Sequence, residues 1–293
     1  GWTIEAAVRF ITHSPDRADF GADYGLHGLL ALAACVGELD RDGPVRQSVE
    51  SHWLVHFIPL LCNHGLGDTP AGMSNERFTK LFPAAFTRAF GDFCRSSYRS
   101  GGSLSELHQL ARVHIPGSGA ELESILIGEP LRSAGFFTGM WFLSRADEEA
   151  AIEVALRWLP GLGSEMPRDV AASLFGAAAV LASGRLSGDI SAHLTNISLV
   201  SDAIRAAASR LARHEREMDF SGWPDHALKA LADACWRAFP VMDRLRSSRG
   251  TFEFHGVTDK DHAMEFRDRL SSAAWSRGID VIIPVAVDGE GND

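Results

Sequence analysis

The stretch Asp23–Gly37, DYGLHGLLALAACVG, decides how the rest of the chain is read. Leu26, Leu29, Leu30, Ala33 and Val36 recur at helical spacing, and Ala31, Leu32, Ala34 and Cys35 make the opposite side apolar too. A helix apolar all round is normally buried, so this one is expected inside a helical core. Gly25 and Gly28 leave one side without Cβ bulk, where a neighbouring helix or a ligand can approach the backbone. His27 sits in the middle of this segment as a polar ring that needs a partner when buried. Asp23, one helical turn earlier, shares its face and is placed to orient it.

On either side the chain continues in helices. Trp2–Thr12 reads as a short amphipathic helix closed by Ser14-Pro15. After the turn signal Asp42-Gly43-Pro44, a helix over 44–64 carries Val49, Trp53, Phe57, Leu60 and Leu61 as its packing stripe, with a kink expected at Pro59. From Asn75 the residues Phe78, Phe82, Phe86 and Phe90 follow one another by four, which reads as core packing or as one wall of a pocket for a flat aromatic ligand. Helices are expected to about His114, over 121–127, 130–143 and 146–158, then over 170–183, 190–216 and 224–246. Pro160–Pro167 is the longest interruption and a candidate subdomain boundary.

Near the end the pattern changes. Thr251–His255 alternates like a strand, Asp259–Arg277 returns to helix, and Val281–Val287 is β-branched and apolar. The expected fold is therefore mainly α: an irregular bundle of about ten helices over 1–249, followed over 250–293 by a small strand–helix–strand element and an acidic tail. Two strands alone are marginal, so they pack on the helices or pair with a second copy in a homo-oligomer.

Composition narrows the function classes. The 293 residues carry a formal charge of −10, which argues against nucleic acid or an anionic membrane as the main partner. No apolar run reaches the ~18 residues of a membrane helix. Cys35, Cys62, Cys94 and Cys235 are widely separated, as buried free thiols of a soluble cytoplasmic protein would be. Only three lysines stand against twenty-five arginines, so lysine chemistry has few candidates. The phosphate loop, the dinucleotide glycine fingerprint, the nucleophile elbow and the HExxH zinc motif are all absent from the sequence.

Histidine remains, with twelve in the chain. His52 and His56 share a helix face at a spacing that can clamp a metal, which admits a metal-dependent hydrolase. His255 ends the first expected strand, a usual place for a site residue.

Three segments taken in order resemble the questin oxidase-like family: LHGLLALAACVG around His27, LFGAAAVLASG around Gly176, and TFEFHGVT followed by DHAM around His255. Members carry a histidine before an LLAL run and a late FxxHxVT segment, and His27, His255 and Thr258 match by position. The resemblance implies a mostly helical oxygenase acting on polycyclic aromatic polyketides. It would insert oxygen beside a quinone carbonyl and open the ring, with NADPH as reductant. Such chemistry needs a base to form an electron-rich phenolate or enolate and a group to hold the developing oxyanion. His27, oriented by Asp23, suits the first role and His255 the second, with the phenylalanine stripe as the flat wall. The reading from another class is a non-catalytic helical protein that binds a partner or senses a ligand.

Overall fold

The computed structural model describes residues 1–14, 21, 23–63, 75–101, 115–163, 166–211, 219–240 and 259–284. These residues are mainly helical, and no strand occurs among them. The chain forms two compact units, Gly1–Pro130 with Arg145–Asp147, and Leu131–Ser144 with Glu148–Asp293. The Pro160–Pro167 interruption lies within the second.

In the first unit α1 (Ile4–His13) starts at Thr3, whose hydroxyl accepts from the Ala6 N–H at 3.3 Å. Helix α2 (Tyr24–Ala34) continues as a 3-10 turn over Val36–Asp40. Then α3 (Pro44–Ser48), with its proline in the first turn, runs through a π turn at Val49–Trp53 into α4 (Leu54–Asn63). The expected single helix over 44–64 is thus one rod with a wide turn in it. That irregularity precedes Pro59, which stands inside α4. Helices α5 (Asn75–Leu81), α6 (Pro83–Arg99) and α7 (Ser118–Gly128) complete the described part, with α2 packed on α1 and α4, and α6 on α4, α5 and α7.

The phenylalanine stripe spans a break. Pro83 disfavours helical geometry at the residue before it, and Phe82 leaves the helix with φ −134° before α6 begins. Phe78, Phe82, Phe86 and Phe90 are nevertheless all buried, at 0 to 3% exposure, and Phe78 packs on Phe57 with centroids 5.7 Å apart. They serve as core.

Helix α2 turns a different side inward from the one its leucines suggest. Tyr24, Gly25, Gly28, Leu29, Ala31 and Leu32 are buried, while Leu26 and Leu30 are each 42% exposed. The small-residue side wins because it lets another backbone come close. A Cβ on Gly25 would lie 2.7 Å from the His56 carbonyl oxygen, and one on Gly28 would run into the Trp53 indole.

In the second unit the helices are α8 (Ser133–Ala146, whose last two residues belong to the first unit), α9 (Glu148–Trp158), α10 (Arg168–Leu181), α11 (Ser187–His193), α12 (Ile197–Leu211), α13 (Asp225–Ala238) and α14 (Asp259–Ser276). It is α10 that is buried on every side, from Val170 to Leu181. It packs on α12, where a Cβ on Gly176 would fall 2.7 Å from the Ala203 carbonyl. The expected long helix over 190–216 is two, because the Asn196 side chain accepts from the Leu199 N–H at 3.1 Å and caps a new start.

The expected strand–helix–strand ending is corrected in its second half. Residues 281–284 are described and irregular. The Ile282 N–H donates to Asp233 Oδ1 at 2.7 Å, so this donor serves a carboxylate on α13 instead of a neighbouring strand, and Pro284 has no N–H to give. The segment Thr251–His255 lies outside the described residues, whereas the helix between the two, α14, forms as expected.

Cys35, Cys94 and Cys235 are free and buried. Burial pushes the Cys235 thiol up to about 12, against the lowering influence of Arg267, and burial also raises Cys35. A thiol whose folded pKa is raised stabilises the fold fully below its ordinary value of 9.0 and loses that contribution as pH climbs toward 12. Native protein at pH 8 should therefore leave Cys235 unlabelled by iodoacetamide, as mass spectrometry after a timed pulse will show. Alkaline titration should lower stability from about pH 9 upward.

Candidate functional site

The last turn of α1 leaves backbone carbonyls without helical partners. Three side chains from later in the sequence supply donors. Ser48 Oγ and Trp53 Nε1 both donate to the Ile11 carbonyl, at 2.6 and 2.9 Å, and Tyr24 Oη donates to the Ser14 carbonyl at 2.8 Å. These bonds fix the start of α2 against the π turn.

The π turn sets what gathers there. Trp53 points into the glycine side of α2, stacked on Tyr24 at 4.6 Å and 20°. His52 and His56 come up beside the same phenol. The His52 and His56 rings are 5.2 Å apart, and both meet Tyr24 edge-on, at 6.1 and 5.1 Å. Tyr24 Oη lies 3.1 Å from His52 Nε2. Tyr24 is buried and both imidazoles are half-buried, so the cluster has a fixed floor and a side open to solvent. A phenol and two imidazoles in contact can hold, pass on and accept protons.

His27 occupies the outer part of α2 and is half-buried. Asp23 is the exposed residue capping α2, and its side chain makes no capping bond to the helix. His255 and Thr258 lie outside the described residues. Spacing alone points to the His52–His56 pair. The sequence pattern alone does not mark Tyr24 as a site residue. Its signal is its place on the same side of α2 as Gly25 and Gly28, in a chain with only two tyrosines.

For a metal, His52 and His56 offer two imidazoles, one of which already engages Tyr24 through Nε2. Among the described residues no group of three or more His, Cys, Asp or Glu side chains is placed to hold an ion. The described residues include no strand leading through a glycine-rich turn into a helix, the usual cradle of a pyrophosphate.

The second unit has an open groove of about 640 Å³ between α8, α10 and α12, lined by Ser133, Arg168, Asp169, Ser173 and Asp202 among others. Ser133 Oγ donates to Asp169 Oδ2 at 2.6 Å, which holds that carboxyl below the usual aspartate range. Arg168 Nε donates to Asp202 Oδ2 at 2.5 Å and a second guanidinium nitrogen donates to Ser198. These groups answer one another and tie three helices together. Among the described residues no helix is long and apolar enough to cross a membrane.

No protein-family model, no curated protein and no solved structure matches this chain.

Proposed function

We propose that this chain is an oxidoreductase of the questin oxidase-like type, which oxygenates and opens a ring of a polycyclic aromatic polyketide. The observation that supports it is the Tyr24–His52–His56 cluster. Its phenol is carried by α2, the helix that also holds His27 of the resembling segment. In this reading an imidazole takes a phenolic proton from the substrate, and the electron-rich phenolate reacts with dioxygen. One oxygen atom enters the ring beside the carbonyl and the other leaves as water. The balancing two electrons come from a nicotinamide reductant, as the resemblance implies.

Exposed Leu26 and Leu30 on α2 and Val55 on α4 favour a second reading, a helical protein that docks a partner. An oxygen electrode separates the two. With hydroxylated anthraquinones and NADPH supplied, the oxygenase reading expects uptake that requires protein, quinone and reductant together. Whichever of His52 and His27 takes the substrate proton, its replacement in His52→Gln or His27→Ala should lower kcat/KM by about 100-fold or more, the usual weight of a general base. Uptake no faster than without protein across such a panel sinks the oxygenase and leaves the docking reading.

A further inference from the structure

Counting protons around Tyr24 fixes which nitrogen of His52 carries hydrogen. The phenol has one hydrogen and two acceptor lone pairs. Its oxygen lies 2.8 Å from the Ser14 carbonyl oxygen and 3.1 Å from His52 Nε2. A carbonyl oxygen can only accept, so the contact with Ser14 uses the phenolic hydrogen. Were that hydrogen turned toward His52, two oxygen lone pairs would face each other at 2.8 Å inside a buried contact. The ring cannot swing aside to avoid this, because it is stacked on Trp53 and flanked edge-on by both imidazoles. The phenol oxygen therefore meets Nε2 as an acceptor, and Nε2 is the donor.

We infer that Tyr24 is a positioning residue that locks His52 in its Nε2–H tautomer, making Nδ1 the lone-pair nitrogen of the ring. Protonation of His52 keeps the bridge, because the new proton goes to Nδ1 while Nε2–H still points at the phenol. The chain of bonds runs from the α1 terminus through Tyr24 to His52, so the tautomer is set by the helix packing. Its catalytic consequence rests on the oxygenase reading above: with His52 as the imidazole that takes the substrate proton, the accepting nitrogen is Nδ1.

The test is nitrogen-15 NMR of histidine-labelled protein, recorded well above the ordinary imidazole pKa of about 6.5. His52 should show a protonated Nε2 and an unprotonated Nδ1. The Nε2 proton should exchange with water about tenfold more slowly than in Tyr24→Phe, the equilibrium weight of one ordinary hydrogen bond. An Nδ1–H tautomer in the wild-type chain overturns the inference, and so does a Nε2 proton whose exchange is the same in both proteins. Should Tyr24→Phe not fold, the wild-type chain still decides: a slowly exchanging Nε2 proton supports the lock, and an unobservably fast one overturns it. None of these readouts needs turnover. Absence of oxygen uptake beside a locked tautomer would remove the oxygenase reading and leave this one standing.

Discussion

Replacing Gly28 with alanine should destabilise the first unit by about 3 kcal/mol, in spite of a helix-propensity gain of about 1 kcal/mol from losing a glycine. The new Cβ would overlap the six-membered ring of Trp53, and the indole has nowhere to go. It is fully buried, stacked between Tyr24 at 4.6 Å and Phe57 at 5.6 Å, and its Nε1 is bonded to the Ile11 carbonyl at 2.9 Å. Relief must come from α2 moving away from α4, which opens the seam that holds Tyr24 against His52. Thermal unfolding followed by circular dichroism should show a Tm lower by roughly 5–10 °C. Gly128→Ala is the control: nothing lies within 4 Å of its Cβ, so only the propensity gain remains. Equal Tm values for wild type and Gly28→Ala would mean that the α2–α4 contact is looser than described.

How far the fold could be read from the sequence depended on whether a residue's neighbours were close along the chain. The Phe78–Phe90 spacing gave burial correctly because four-residue repeats place side chains on one helix side wherever the helix goes. The break at Phe82 was also legible in principle, since Pro83 marks it. The inward side of α2 was harder. Its leucines and alanines surround it, so no polar residue marks the outside, and contact with one large indole outweighed the burial of Leu26 and Leu30. Val281–Val287 looked like a strand by composition, yet the Ile282 N–H is claimed by Asp233, forty-nine residues earlier, and no local pattern could show that. The site divides in the same way. The His52–His56 pair follows from helical spacing, whereas Tyr24 joins it through the packing of α2 on the π turn, a tertiary fact. Asp23 caps α2 from outside the helix, and His27 follows Tyr24 by three residues on α2.

The second large effect is expected at Arg267, a charged side chain only 2% exposed, on α14. Its guanidinium lies over the Trp236 ring at 3.8 Å, donates from Nε and Nη2 to Asp268 Oδ1 at 2.9 and 2.7 Å, and donates from Nη1 to the Phe239 carbonyl just beyond α13. Trp236 in turn donates to Ser271 Oγ at 2.8 Å, and Ser271 donates to the Arg267 carbonyl at 2.8 Å. The α13–α14 contact is thus one connected polar clasp beside an apolar seam, and removing the guanidinium takes the Nη1 donor from the Phe239 carbonyl. Arg267→Ala strands the Phe239 carbonyl, uncovers the indole and leaves a cavity, at a combined cost of about 4 kcal/mol. Arg267→Lys keeps the charge but neither the planar stack nor the forked donors, so it should fall between. The Cys235 thiol reports the same seam. With the clasp gone the seam opens more often, and the thiol that resists iodoacetamide in the wild-type chain should label in Arg267→Ala before global unfolding. If Arg267→Ala unfolds at the same urea concentration as wild type and Cys235 stays protected, the guanidinium contributes no net stability and the seam is held by its apolar contacts, Leu228, Leu231, Phe266 and Leu270, all buried to 2% exposure or less.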